Sequence, residues 1–234
     1  MRKARQADPE RGAKKETATP APSRPAAPPF MNLSKIPPFT RTTVAAFLGV
    51  HMGLGLFLNE AAQAQVFFTL GFVPGRFTGA TGEFPFLALL SPLTYQFLHG
   101  SWLHVLINII SMLVMGMFFE KEFGARLTAF FFVVCGLAGA GLHFVLDPFS
   151  TQTLIGASAS ISGLMGAVVI LLFQRNALAL RRIQKHGPWP IVVFWVLFMA
   201  GMGLLSGDSI AWQAHVGGFL AGIGLLYLIQ RNPH

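Results

Sequence analysis

The 234-residue sequence is short of charge: Asp, Glu, Lys and Arg make up only 11% of it, against roughly a quarter in soluble domains. Carboxylates are the scarcer sign, nine against 17 Lys and Arg. The single cysteine, Cys135, excludes an internal disulfide, and its place in an apolar run makes it a buried packing residue. There is no His-Glu-x-x-His, no cluster of carboxylates and no thiolate pair, so neither a metal nor a cofactor is expected. The apolar stretches carry no acid except Glu120 at one end, which disfavours an aspartyl or zinc protease working in the membrane. No internal repeat is visible, and the polar residues lie away from mid-depth, which argues against a transporter built of repeated halves.

What the chain has in excess is apolar residues, 53% of the total and clustered. Near 20 apolar residues suffice to cross about 30 Å of hydrocarbon. Six candidate spans follow, near 43–59, 102–119, 127–146, 157–174, 189–206 and 211–229. The segment 60–101 holds apolar pieces too short to cross, such as Phe84 to Leu90, and is expected to form interfacial or partly inserted helices. The fold class is therefore all-α: a polytopic six-helix bundle over 37–234. Residues 1–36, rich in Lys, Arg, Pro, Ala, Ser and Thr, are expected to be a disordered basic tail.

The basic residues orient the bundle. Six spans put both termini on one side, together with Lys121, Arg126, Arg175, Arg181, Arg182, Lys185 and Arg231. That side then holds 16 of the 17 basic residues, and only Arg76 falls opposite. The positive-inside rule places both termini in the cytoplasm. The net charge of +8 thus reads as a topology signal and a contact with lipid headgroups, not as a nucleic-acid footprint.

Polar side chains inside spans are costly and often mark function. Here they are His51, His104, Asn108, His143, Ser158 and His215. His51 and His143 are assigned to packing or hydrogen bonding. The other four share a depth: His104 and Asn108 near the start of span 2, Ser158 at the start of span 4 and His215 early in span 6. At 1.5 Å rise per residue all four lie within roughly 10 Å of the outer end of their helix. His104 and Asn108, spaced i, i+4, project from one face. Ser158 sits among small residues, Gly156-Ala-Ser158-Ala159 and on to Gly163 and Gly166. It is either a close-contact residue or a nucleophile at a helix N-terminus, where free N–H groups favour an oxyanion. Ala214, Gly218 and Gly222 form a small-residue stripe; if span 6 packs on span 4 through it, His215 can reach Ser158 and act as its base. The acid Asp208 lies seven residues before His215, about 10 Å along a helix, so a dyad is expected rather than a triad.

His99-Gly-Ser-Trp-Leu-His104-Val-Leu-Ile-Asn108, Gly156-Ala-Ser158 leading into Gly163-Leu-Met-Gly166-Ala167, and Ala214-His215-Val-Gly-Gly218, in that order, resemble the rhomboid family of intramembrane serine proteases. The resemblance covers roughly 40–230. It implies a bundle with a membrane-inserted first loop over 60–101, Ser158 as nucleophile and His215 as base. It implies an oxyanion hole of His104, Asn108 and the Ser158 backbone N–H. His99 and Glu120 are implied as structural support, with Gly156 and Gly218 in the supporting motifs. It further implies single-span membrane proteins as substrates, an active site facing the outer side and, in a bacterium, the inner membrane. The rival within the family is a non-catalytic member that binds transmembrane segments. Three positions depart from the pattern: Ala159 follows the nucleophile where Gly is usual, putting a methyl near the oxyanion site. Ser162 stands where an aromatic often stacks on the histidine. Leu90-Ser91 replaces the Trp-Arg pair that anchors the first loop.

Overall fold

The structure, a computed structural model, describes residues 35–175, 186–205 and 211–231. Expectations for residues 1–34 of the tail, for Arg181, Arg182 and Lys185, and for Asp208 concern positions outside the described residues. The described elements are helical. Helix α1 runs Pro38–Phe57 and α2 Glu60–Leu70. Short helical turns follow at Pro74–Phe77, Phe86–Leu90, Ser91–Thr94 and Tyr95–Phe97. Helix α3 (Trp102–Ser111) passes through a π-helical turn, Met112–Gly116, into α4 (Met117–Leu146). Helices α5 (Ser158–Gln174), α6 (Trp189–Leu205) and α7 (Trp212–Arg231) complete the order.

Local chemistry explains the boundaries. Pro at the first position of α1 has no N–H to lose there. Asn59 caps α2 by accepting from Ala62 N at 2.9 Å, and Ser101 caps α3 by accepting from His104 N at 3.2 Å. Within α4, Gly124 stands at φ 80°, ψ 168°, a left-handed backbone that glycine enters at little cost. It falls in the short gap between the second and third expected spans.

Two stretches, Trp102–Leu146 and Trp212–Arg231, are long and apolar enough to cross a bilayer. Helices α5 and α6 are apolar but 17 residues each, at the lower limit for a span. Large apolar side chains point outward: Phe57, Phe86, Leu204 and Leu205 are each at least 80% exposed. A surface of that kind suits hydrocarbon. The reverse holds for α5, where eleven of 17 residues are buried, so it is the central helix. Cys135 is buried in the core cluster around it.

Glu120 ties the first helix to this centre. It is 4% exposed and accepts from Phe39 N (2.8 Å), Thr40 N (2.7 Å) and Thr40 Oγ1 (2.8 Å). A carboxylate is well matched to the free N–H groups and positive dipole end of α1. Replacing Glu120 with Ala leaves three donors without their acceptor. The thermal midpoint of the detergent-solubilised protein should fall, corresponding to about 3 kcal/mol; an unchanged midpoint would mean that α1 is held by other contacts.

Candidate active site

Small residues set the spacing of α5, α7 and α4. A Cβ on Gly218 would run into the Ala159 carbonyl, and one on Gly222 into the Gly163 carbonyl. On α4, a Cβ at Gly139 would lie 2.6 Å from Ala214 O and 2.7 Å from Ala159 Cβ. All of these are closer than real Cβ atoms approach, so the three backbones touch directly. The small-residue stripe of the last helix does pack on α5. Ser158 and His215, each in the first turn of its helix, are thereby brought to the same end of the bundle.

The turn into Ser158 is shaped by Gly156 at φ +108°, a conformation open to glycine. A side chain there would also meet the His104 ring, with Nε2 2.5 Å from the added Cβ. Gly156 N–H donates to Tyr95 O at 2.9 Å. Upstream, Phe72 and Leu154 exchange two backbone hydrogen bonds of 3.0 and 2.8 Å, and Gly75 N–H donates to Ser150 O at 2.7 Å. The segment after α2 therefore holds the loop that delivers the serine.

His215 Nδ1 lies 3.0 Å from Ala211 O. A carbonyl can only accept, so in the neutral ring the proton sits on Nδ1 and Nε2 carries the lone pair. A backbone carbonyl thus orients the imidazole where a triad would use an acid. On α3, Asn108 is 3% exposed and donates from Nδ2 to His104 O at 2.9 Å, which leaves its second amide proton without a partner among the described residues.

Ser158, His215, His104 and Asn108 all line one cavity of about 970 Å³. Part of its lining is polar, with Asp147, Ser150 and Gln152; another part is apolar, with Trp195, Phe198, Met199 and Met202. Ser158 and His215 share the cavity without a hydrogen bond between them; such contacts often tighten only when substrate is bound.

The remaining expected residues separate. His99 is fully buried behind the cavity, its ring 5.1 Å from those of Phe47 and His104. Its carbonyl accepts from His51 Nδ1 at 3.0 Å, which gives His51 the hydrogen-bonding role expected of it. Glu120 sits apart, at the start of α1. His143, expected to pack or to hydrogen-bond, is bonded to the Gln213 side chain and also lines the cavity near Asp147. The Ala159 methyl does not approach the cavity: it is 1% exposed and packs toward Gly139 in a cluster with Tyr95, Leu154 and Ala214. Helix phase turns this residue, expected to put its methyl near the oxyanion site, toward α4 and out of the cavity lining. Ser162 does line the cavity, and the nearby Trp195 stacks on Phe219 at 4.2 Å. The first loop has an anchor that the sequence reading missed. Arg76, 2% exposed, donates to Phe68 O and to Gly71 O (3.4 Å), and its guanidinium lies 4.5 Å over the Phe68 ring. A cation at the C-terminal end of α2 is favourably placed.

A family model described as the Rhomboid domain matches residues 88–232, more than half of the chain. The chain is 29% identical to RHOMBOID-like protein 5 of Arabidopsis thaliana over 136 residues, covering 58% of this chain and 42% of that protein. It is 26% identical to Rhomboid-like protease 3 of Toxoplasma gondii over 161 residues, covering 68% and 57%. It is 30% identical to Rhomboid-like protease 1 of Toxoplasma gondii over 143 residues, covering 58% and 46%. The chain spans about half the length of these relatives or less.

The glycine contacts make a sharp contrast within one helix. Gly222→Val should destabilise by about 3 kcal/mol or more through overpacking. Gly224→Val, where a Cβ meets nothing within 4 Å, should keep the wild-type thermal midpoint. Equal midpoints for the two variants would contradict the direct backbone contact of α5 and α7.

Proposed function

Because the chain belongs to the rhomboid family, whose members are integral membrane proteins, we propose that it is an intramembrane serine endopeptidase with Ser158 as nucleophile and His215 as base. The observation that carries this reading is the convergence of four polar side chains on one cavity, with His215 Nδ1 occupied by a carbonyl and Nε2 left basic. A hydroxyl is a poor nucleophile until a base takes its proton, and imidazole suits that role near neutral pH.

In the proposed reaction a single-span membrane protein enters the cavity from the apolar side and unwinds locally. His215 Nε2 takes the Ser158 proton, and Oγ attacks the peptide carbonyl. The oxyanion is met by the Ser158 backbone N–H at the start of α5, the His104 ring and the second Asn108 amide proton, each donor worth about 3 kcal/mol. The imidazolium then protonates the leaving amine as the peptide C–N bond breaks, giving an acyl-enzyme. Water admitted past the polar wall gives its proton to His215 and attacks the ester; the ester C–O bond breaks, and the proton returns to Ser158.

The topology proposed with this function has six spans, α1, the two halves of α3–α4 on either side of Gly124, α5, α6 and α7. Residues 1–36 form a cytoplasmic tail in contact with lipid headgroups, and residues 37–234 form the protease domain. Both termini are cytoplasmic, and the site opens to the outer side. The second reading, a member that binds transmembrane segments without cleaving them, is favoured by the small Ser162 and by the lack of a Ser158–His215 hydrogen bond.

Reaction with a fluorophosphonate probe in detergent separates the two. Wild type should label, and Ser158→Ala and His215→Ala should not, while all three keep one thermal midpoint; the same pair should abolish cleavage of a single-span model substrate. Folded wild type that fails to label, or Ser158→Ala that still cleaves, would sink the protease reading.

A further inference from the structure

Gln96 is 1% exposed, and a buried carboxamide must find partners for its polar atoms. Its Oε1 accepts a 2.6 Å hydrogen bond from Ser160 Oγ, on α5 and wholly buried, across 64 residues of sequence. Gly136 on α4 makes this reach feasible, because a Cβ there would collide with the Gln96 carboxamide and Ser160 Oγ. The preceding residue completes the arrangement. Tyr95 holds Gly156 N–H through its carbonyl at 2.9 Å, and its own hydroxyl donates to Gly136 O at 2.8 Å. Residues 156 and 160, two before and two after Ser158, are thus suspended from two consecutive residues. The same stretch of chain runs on through the Ser101 cap to His104 and Asn108.

We propose that Gln96 is a positioning residue: through Ser160 it fixes the first turn of α5, and so sets the Ser158 hydroxyl and backbone N–H against the His104 and Asn108 side chains. This rests on the protease reading above. Tyr95 reaches Gly156 through its main-chain carbonyl, which substitution does not remove, whereas Gln96 reaches Ser160 through its side-chain amide, which substitution does. Displacements of about 1 Å at a reacting group can cost 100-fold in rate, so a hydrogen bond next to the nucleophile's turn is well placed to matter without touching substrate.

The test uses the full chain in detergent with Gln96→Leu, Ser160→Ala and the double variant. Each should lower kcat toward a single-span model substrate about tenfold with KM within about twofold. The double variant should be no slower than either single one, because all three remove one contact. Hydrogen exchange over 156–162 should quicken in all three while α7 keeps its wild-type protection. This arm reads the order of the turn whether or not the protein cleaves anything, so an inactive wild type would sink the protease reading and leave the positioning inference tested. Ser160→Ala adds no volume and carries the test if Gln96→Leu does not fold. Unchanged exchange over 156–162, kcat losses that add between the two sites, or a lower thermal midpoint with kcat unchanged would each overturn the proposal.

Discussion

The arrangement depends on the direct backbone contact between α5 and α7. In hydrocarbon no hydrophobic force pulls helices together, and close van der Waals packing has to do so. Gly218 against Ala159 and Gly222 against Gly163 bring the helices to touching distance, and Gly139 brings α4 against both. A side chain at any of these points would spread the first turns, where Ser158 and His215 stand. The stripe therefore governs both the packing of the bundle and how near His215 stands to Ser158.

A second layer of constraint comes from the segment between α2 and α3. It is made of short turns, but its polar groups are placed against the core. Phe72 pairs with Leu154, Arg76 closes the end of α2, Tyr95 and Gln96 hold the turn around Ser158, and Ser101 starts the helix that carries His104 and Asn108. Several groups of this irregular backbone are bonded inside the protein, as buried backbone requires. The cavity thus has a floor of closely packed helices and a wall of hydrogen-bonded loops.

Much of this was legible from residue types and spacing. Apolar run length located helices close to the expected spans. The small-residue stripe pointed to the helix pair, and the shared depth of His104, Asn108, Ser158 and His215 pointed to one site. What was not legible depends on side-chain direction and on carbonyls. Ala211 supplies a backbone oxygen, which leaves no mark in its residue type. Gln96 and Tyr95 act across more than 40 residues on groups that no periodicity links to them. The Ala159 methyl could be placed only once the phase of α5 was known, and His143 reaches the cavity because α4 ends beside it. Arg76 looked like an isolated outer charge, although its task is to close α2.

The most direct test of the central claim is an experimental structure of the protein after reaction with a fluorophosphonate. The account predicts a covalent bond to Ser158 Oγ, the phosphonyl oxygen facing His104 and Asn108, and His215 Nε2 within hydrogen-bonding distance of the adduct with Nδ1 still on the Ala211 carbonyl. An adduct on another residue, or His215 turned away from Ser158 with α5 and α7 apart, would contradict it.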